Sequence, residues 1–159
     1  MLRYKKIQGG KKVEIEKKYK IETLPDHLEQ YRCRQIEQGY LCTEPVIRIR
    51  KDDEKYELTY KSRGKMMREE HTLPLTKESY EHLKEKVDGR VICKKRYLIP
   101  LTDILTIELD VFEGDLAPLV IAEVEFPDLE TANSFTPPDW FGEDVTFSGK
   151  YHNSNLSKY

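Results

Sequence analysis

The sequence predicts an α+β domain built as a closed eight-stranded antiparallel β-barrel, a tunnel with a charged interior and a few helices packed outside. Two observations predict this fold. Short segments of alternating apolar and charged residues follow one another with turns of only a few residues, which is typical of antiparallel hairpins. The charged residues are also sorted by sign from strand to strand, whereas a flat sheet face in water is expected to mix both signs within each strand.

Length and composition indicate one soluble domain. The chain has 159 residues, enough for a single domain with a real core. Charged residues make up 35% of it and hydrophobic residues 38%, yet the formal net charge is only −2. A general binder of nucleic acid or of membrane surfaces would be clearly basic, so neither partner is expected. We assign residues 13–159 to the domain and expect residues 1–12 to be a flexible tail or an expression remnant.

Cysteine usage and hydropathy favour a protein of the reducing cytoplasm. Cys33, Cys42 and Cys93 are widely spaced and lack a nearby His, so they predict neither a zinc site nor a disulfide framework. No apolar run approaches the ~20 residues of a membrane span. The basic N-terminal segment also lacks the apolar core of a signal peptide, so the expected location is cytoplasmic.

Alternation and turn residues locate the helices and strands. Thr76 is expected to cap a helix over 76–87, in which Tyr80 and Leu83 belong to one apolar stripe. Shorter helices are expected over 24–32 and 128–135, and the segment after residue 135 is expected to be loop and turn. The predicted strands are 13–21, 34–41, 45–51, 56–62, 66–74, 90–101, 104–112 and 118–126.

Most of these strands carry two charged or polar residues spaced two positions apart, with apolar residues between them. Such partners share one face of the strand and lie about 6.6 Å apart, twice the strand rise. Acidic pairs fall on the first, seventh and eighth strands, and basic or mixed pairs fall on others. The pairs are Glu14–Glu16 with Lys18 next on the same face, Arg48–Arg50, Thr59–Lys61, Arg68–Glu70, Lys94–Arg96, Glu108–Asp110 and Glu123–Glu125.

A closed sheet would bring these charged faces together in a shared lumen and turn the apolar faces outward, where helices can cover them. Burying so many charges without a ligand would cost many kcal/mol, so the lumen must hold water or counter-charges. A polyanion together with divalent cations fits this requirement. Arg and Lys bind phosphate oxygens, and clustered carboxylates bind Mg²⁺ or Mn²⁺.

The order of the motifs resembles that of CYTH domains, the triphosphate tunnel metalloenzymes. E-x-E-x-K, R-x-R, T-x-K, R-x-E, K-x-R, E-x-D and E-x-E follow one another from about residue 13 to about residue 153. A single spacing of this kind is common on any solvated strand face, but the whole series in register is specific. The resemblance is greatest to the compact bacterial branch, whose members mainly hydrolyse inorganic tripolyphosphate, and it implies a metal-dependent phosphoric-anhydride hydrolase.

The resemblance also implies a role for each motif residue. One or two Mg²⁺ or Mn²⁺ ions would be held by Glu14, Glu16, Glu108, Asp110, Glu123 and Glu125. The phosphate chain would be bound by Lys18, Arg48, Arg50, Lys61, Arg68, Lys94 and Arg96. The residues implied to take part in the chemistry, an in-line attack of water on a terminal phosphorus, are Glu14, Glu16, Lys94 and Glu125.

Three other functions are compatible with the same residues. A class IV-type adenylate cyclase would cyclise ATP in the tunnel, and a thiamine triphosphatase would want an aromatic shelf at one mouth. A non-catalytic binder of polyphosphate or nucleotide is disfavoured, because such a binder has less need of so many carboxylates. Trp140 and Phe141 are expected to be packing residues. The expected partner is a small triphosphate or short polyphosphate, and the expected assembly is a monomer or a homodimer.

Overall fold

The computed structural model describes residues 15–63 and 69–159. It confirms an α+β domain in which all neighbouring strands of one eight-stranded sheet pair antiparallel. The strands lie close to the predicted positions: β1 (Ile15–Lys20), β2 (Arg32–Thr43), β3 (Val46–Asp52), β4 (Lys55–Lys61), β5 (Glu70–Pro74), β6 (Asp88–Pro100), β7 (Thr106–Phe112) and β8 (Val120–Phe126).

The strand order is β1-β8-β7-β6-β2-β3-β4-β5, so β1 and β5 are the edge strands. Within the described ranges no ladder of hydrogen bonds joins these two edges, and the predicted closure of the barrel is therefore not confirmed. Both edge strands are short, with six residues in β1 and five in β5, so each offers few backbone groups for pairing. The eight antiparallel strands are confirmed; a hydrogen-bonded closed barrel is not.

The helices are shorter than predicted, and one of the three predicted helices does not form. Helix α1 (Lys77–Lys84) begins as expected at Thr76, whose Oγ1 accepts a hydrogen bond from the Ser79 N–H at 3.1 Å. Helix α2 (Leu129–Ser134) also forms where it is expected. The prediction of a helix over 24–32 is wrong, because only the 3₁₀ turn Leu28–Gln30 forms there and Arg32 already belongs to β2.

The C-terminal segment is more regular than the predicted loop. It contains the 3₁₀ turn Gly149–Tyr151 and the short helix α3 (Asn153–Leu156). None of the helices in the described ranges is long and apolar enough to cross a membrane.

The main apolar core covers one face of β1, β7 and β8. Helix α2 and the residues after it pack on this face, where the Phe141 ring lies 4.9 Å from that of Tyr19 and 4.6 Å from that of Trp140. The predicted packing role of Trp140 and Phe141 is thereby confirmed. The buried members on the three strands are Ile15, Tyr19, Ile107, Leu109, Val120, Ala122, Val124 and Phe126.

The opposite face, called here the charged face, carries Lys18, Arg48, Arg50, Lys94, Arg96, Asp110 and Glu123 by strand alternation. At one end of it lies a second apolar cluster that includes Val46, Ile92, Phe112 and Ile121, on the same strand faces as the charges. Tyr151 and Leu156 of the C-terminal segment pack against this cluster. One end of the charged face is therefore covered by apolar side chains.

Candidate functional site

Every predicted phosphate-binding residue within the described ranges lies on the charged face, and Arg68 is outside those ranges. Strand alternation puts the described members on that face: Arg48 and Arg50 point away from Ile49, which is buried on the other face. Lys18, Lys94 and Arg96 are themselves buried, which is rare for cationic side chains without a partner or a ligand. The set comprises Lys18 of β1, Arg48 and Arg50 of β3, Lys61 of β4, and Lys94 and Arg96 of β6.

Arg48 and Arg50 differ from the other cations, because within residues 15–63 and 69–159 neither guanidinium pairs with a carboxylate. The Arg48 Nη2 donates to Thr59 Oγ1 at 3.2 Å, and the Arg50 Nε donates to Gln38 Oε1 at 2.9 Å. The Arg48 Nε is buried and has no hydrogen-bond partner among the same residues. Neutral partners thus hold two adjacent guanidinium groups in place without cancelling their charge.

This arrangement destabilises the charged form of Arg50. Burial, and then the nearby charges of Arg48 and Arg96, lower the pKa of Arg50 to about 10. A bound anion would relieve both effects, because it would neutralise the cluster and offer acceptors to the guanidinium donors. The pair is suited to a phosphate group.

Groups from distant strands act on one another across the charged face. Burial raises the pKa of Tyr40 on β2, and the charges that oppose the rise include those of Arg48, Arg50 and Lys18. Lys18 lies on β1, four places from β2 in the strand order. In a flat sheet four strand spacings would separate them by about 19 Å. The sheet therefore curves so that the charged face is concave.

The carboxylates lie together on β1, β7 and β8. The strand register sets Glu16 directly opposite Glu125 and Glu108 directly opposite Glu123. Like charges placed directly opposite on neighbouring strands are destabilising, and a bound cation removes that cost. The arrangement is a patch of carboxylates on one wall of the concave face.

Buried cations compensate part of this negative charge. Lys18 Nζ lies 3.3 Å from Glu123 Oε1, and Arg96 pairs with Glu108. Burial raises the pKa of Glu108, the positive charge of Arg96 opposes the rise, and the negative charges of Glu123 and Asp110 add to it. A further cation near Glu108 would therefore be favourable.

The donor set fits a hard divalent cation such as Mg²⁺ or Mn²⁺, because such ions prefer carboxylate oxygens. Glu16, Glu108, Glu123 and Glu125 supply these oxygens from three adjacent strands. Among the residues that the structure describes, no three acidic, His or Cys side chains converge closely enough to hold a metal ion by themselves. Glu14, a further predicted ligand, lies outside the described ranges.

Asp110 is set apart from the other carboxylates by its contacts. Its Oδ2 accepts from Lys94 Nζ at 2.7 Å and from Arg96 Nη2 at 2.8 Å, and its Oδ1 accepts from Arg96 Nε at 2.6 Å. Burial alone would raise the pKa of Asp110, but Lys94 and Arg96 together hold it well below its usual range. Asp110 is therefore a buried anion between two cations.

Lys94 connects the charged face to the C-terminal segment. Its ammonium donates to Asn153 Oδ1 at 3.3 Å and lies 5.2 Å from the centre of the Phe112 ring. Complete burial lowers the pKa of Lys94 to about 8, although Asp110 opposes that change. The ammonium lies at the boundary between the charged face and the second apolar cluster.

Strand β2 contributes site residues that the sequence analysis did not identify. Arg34, Gln38 and Tyr40 belong to the charged face, and Arg34 Nη1 lies 3.2 Å from Asp52 Oδ2. The predicted strand begins at residue 34 and so leaves out the Arg32–Arg34 pair, and the next residues on the same face, Ile36, Gln38 and Tyr40, carry no charge. The sequence feature that indicates these residues is the spacing of Arg34, Ile36 and Gln38 two positions apart in one continuous strand, which places their side chains on one face.

Comparison with known proteins identifies the family. The model of the CYTH domain matches residues 11–159. The inorganic triphosphatase of Nitrosomonas europaea is 38% identical over 147 residues, which cover 91% of this chain and 96% of that protein. The inorganic triphosphatase of Acetivibrio thermocellus is 37% identical over 126 residues, covering 76% of this chain and 78% of that protein.

Solved structures share the architecture. A crystal structure of an inorganic triphosphatase superposes with a TM-score of 0.74 at 36% identity and covers 92% of this chain and 95% of its own. A Hippeastrum protein, described as an adenylyl cyclase with a dominant triphosphatase activity, has the same fold with a TM-score of 0.57 at 18% identity, over 76% of this chain and 82% of its own. The chain belongs to the CYTH domain family.

Proposed function

We propose that this protein hydrolyses inorganic tripolyphosphate to diphosphate and phosphate, in a metal-dependent reaction on the concave charged face. The observation that carries the proposal is the Arg48–Arg50 pair, in which two adjacent guanidinium groups are held by Thr59 and Gln38 and lack a carboxylate partner among the described residues. A linear polyanion supplies the missing negative charge. The names of the two similar triphosphatases support the same reaction class.

Binding rests on the basic side chains of the charged face. Arg48 and Arg50 present forked donors, which suit phosphate oxygens better than a single ammonium does. Lys18 and Arg96, held by Glu123 and Asp110, border the acidic patch, where a terminal phosphate would meet the metal site. Lys61 would extend the basic surface along β4. Arg68 is proposed as a further phosphate ligand from the R-x-E motif. These assignments place the phosphate chain between a basic wall and an acidic wall.

The carboxylates Glu14, Glu16, Glu108, Glu123 and Glu125 would hold one or two Mg²⁺ or Mn²⁺ ions. When bound, such an ion neutralises phosphate charge and lowers the pKa of coordinated water. The chain's own cations would stabilise the negative charge that spreads over the phosphoryl oxygens as the bridging P–O bond breaks. Glu14, Glu16, Glu125 and Lys94 stay the candidates for orienting the reacting groups.

We also propose that the curved sheet closes around its substrate as a tunnel. The influence of Lys18 on Tyr40, across four places of the strand order, supports strong curvature. Closure would exclude water from the reacting phosphates and strengthen every electrostatic contact with them. The edges that would meet are β1 and β5.

A phosphate-release assay tests the proposed function. Purified protein would be incubated with tripolyphosphate, ATP or thiamine triphosphate, each with Mg²⁺, with Mn²⁺ or with a chelator, and cyclic AMP would be measured in the ATP samples. The proposal expects metal-dependent phosphate release that is fastest with tripolyphosphate. Cyclic AMP formation without phosphate release would overturn it in favour of a cyclase. Tight binding of tripolyphosphate without turnover would overturn it in favour of a polyphosphate binder.

A further inference from the structure

We infer that Asp110 is a positioning residue for Lys94 and Arg96, and not a ligand of the metal ion. This inference deepens the proposed function and depends on it for the substrate only. It departs from the family-based expectation that assigns Asp110 to the metal site.

The contacts of the Asp110 carboxylate leave little room for a metal ion. A carboxylate offers about four lone-pair positions. Three of them are occupied by charge-assisted hydrogen bonds, one from Lys94 and two from Arg96, at 2.6 to 2.8 Å. The Asp110 side chain is 1% exposed, and both of its partners are also buried. A metal ion bound to Asp110 would be restricted to the one remaining lone-pair position, on Oδ1, or would have to displace one of these bonds.

Charge also argues against a metal ion at Asp110. A divalent cation bound there would lie beside the Lys94 ammonium and the Arg96 guanidinium, two like charges in a poorly solvated site. The Glu108 and Glu123 carboxylates lie on the same face, and their side chains are 35% and 14% exposed, against 1% for Asp110. A cation that enters the charged face therefore meets Glu108 and Glu123 in a better solvated position.

The Asp110 carboxylate orients two different side chains. The bidentate contact of Arg96 Nε and Nη2 fixes the plane of the guanidinium, so that Nη1 is directed to Glu108. The contact with Lys94 holds the ammonium beside Asn153 of the C-terminal segment. Asp110 thus connects the cation nearest the metal-binding carboxylates with the segment that covers the apolar end of the charged face.

The test compares Asp110→Asn with Glu123→Gln, a matched isosteric change at a proposed metal ligand. The first readout is the affinity of the substrate-free protein for Mn²⁺. It is measured from the electron paramagnetic resonance signal of unbound Mn²⁺. Glu123→Gln is expected to weaken Mn²⁺ binding by at least about tenfold more than Asp110→Asn does, because only Glu123→Gln removes a carboxylate oxygen that binds the ion directly. Weakening of Mn²⁺ binding by Asp110→Asn to the same extent as by Glu123→Gln would overturn the inference.

The second readout is the Nε–H resonance of Arg96 in the metal-free protein. A buried charge-assisted hydrogen bond to Asp110 is expected to shift this resonance downfield and to protect it from solvent exchange in wild type and in Glu123→Gln. Asp110→Asn is expected to abolish both effects. An exchange-labile Arg96 Nε–H in wild type would overturn the inference, whatever the enzyme's activity.

Asp110→Asn removes the carboxylate that pairs with Lys94 and one of the carboxylates that pair with Arg96, and such a loss at buried cations can unfold a domain. If Asp110→Asn does not melt cooperatively, the double variant Lys94→Met/Asp110→Asn replaces it, because removal of one cation and one anion keeps the buried net charge unchanged. The same Mn²⁺ comparison then applies. If wild type hydrolyses no triphosphate, the proposed function fails, whereas the Mn²⁺ and Arg96 measurements still decide the role of Asp110.

Discussion

Gln38 and Arg50 face each other across β2 and β3, and the Arg50 Nε donates to Gln38 Oε1 at 2.9 Å. Gln38 is fully buried, and its amide also donates to the Tyr40 hydroxyl at 3.4 Å. The arrangement orients a guanidinium group with a neutral acceptor. Because the positive charge is oriented without being neutralised, it stays available to an anion.

Replacing Arg50 should remove activity and leave the fold intact. Arg50→Ala is expected to lower kcat for tripolyphosphate by about 10²–10³, the usual cost of losing one group that stabilises developing charge. Relief of the repulsion from Arg48 and Arg96, which contributes to the lowered pKa of Arg50, should keep the melting temperature equal to or above that of wild type. Arg50→Lys should stay largely inactive, since it keeps the charge but loses the fork.

Lys95→Ala is the matched control for Arg50→Ala, because Lys95 is exposed on the opposite face of the sheet. It should leave both kcat and the melting temperature unchanged. If Arg50→Ala loses cooperative unfolding and Lys95→Ala keeps it, Arg50 belongs to the structural core.

Thr59 should affect substrate binding by orienting the Arg48 guanidinium. Its hydroxyl accepts from Arg48 Nη2 at 3.2 Å and lies 3.1 Å from the Thr72 hydroxyl, and the residue is buried. Thr59→Val keeps the shape of the side chain and removes the hydroxyl that accepts the hydrogen bond from the Arg48 guanidinium. A hydrogen bond to a charged group is worth about 1.5–3 kcal/mol. We expect KM for tripolyphosphate to rise by about tenfold or more, because 1.4 kcal/mol corresponds to tenfold. An unchanged KM in steady-state assays would show that Arg48 does not contact the substrate.

Divalent cations should stabilise the fold as well as support turnover. The directly opposed pairs Glu16–Glu125 and Glu108–Glu123 repel each other in the absence of a cation. Saturation with Mn²⁺ at about 100 times the Kd should add about 2.7 kcal/mol to the free energy of unfolding. Glu108→Gln should reduce this gain. An equal Mn²⁺-induced rise of the melting temperature in Glu108→Gln would exclude Glu108 from the metal site.

Glu37 should contribute pH-dependent stability from the outer face. Burial raises the pKa of Glu37, but hydrogen bonds from Lys84 and Tyr80, each 2.8 Å long, lower it below the usual value. Because the folded-state pKa lies below the unfolded one, the contribution is complete above the unfolded pKa and is lost as pH falls through the folded pKa. Glu37→Gln should therefore lower the free energy of unfolding at neutral pH by about 1–2 kcal/mol, allowing for the partial exposure of both partners.

Urea unfolding at a series of pH values measures this effect. The difference between wild type and Glu37→Gln should be constant from pH 7 down to the unfolded pKa and shrink in more acid solution. A difference that grows as the pH falls would contradict the assigned sign. Turnover at neutral pH should not change, because Glu37 faces helix α1 and not the charged face.

Substitutions at two glycines distinguish the cost of backbone strain from the cost of a steric clash. Gly89 and Gly114 both have positive φ, 68° and 63°, in the region that disfavours other residues. A Cβ at Gly89 would lie 2.0 Å from the Ser157 carbonyl oxygen, whereas at Gly114 it would meet nothing within 4 Å. Gly114→Ala should cost about 1–2 kcal/mol, the left-handed penalty alone.

Gly89→Ala should cost clearly more than Gly114→Ala and should also increase amide exchange in residues 153–157, since the C-terminal segment must move away. Equal destabilisation of the two variants in urea unfolding would show that the C-terminal segment is not held against the start of β6.

The site predicted from the sequence agrees with the structure where simple alternation holds. Arg48, Arg50, Lys94 and Arg96 lie on one face because a strand turns each second residue the same way, whatever the rest of the fold does. The same rule places Arg34, Gln38 and Tyr40 of β2 on that face as well, but it does not mark Gln38 and Tyr40 as site residues, because neither side chain is charged. It also gives no information about distance along the sheet, so it treats Asp110 and Glu108 as equivalent.

The sequence by itself determined which residues share a face, where the strands and the capped helix form, and which family the chain resembles, since these follow from local geometry and residue spacing. Only the tertiary structure decided that Asp110 is enclosed by Lys94 and Arg96, that the C-terminal segment reaches Lys94 through Asn153, and that β1 and β5 do not pair within the described residues. The physical reason is that burial and ion pairing depend on which strands become neighbours and how the sheet curves, and neither is encoded in the spacing of residues along one strand.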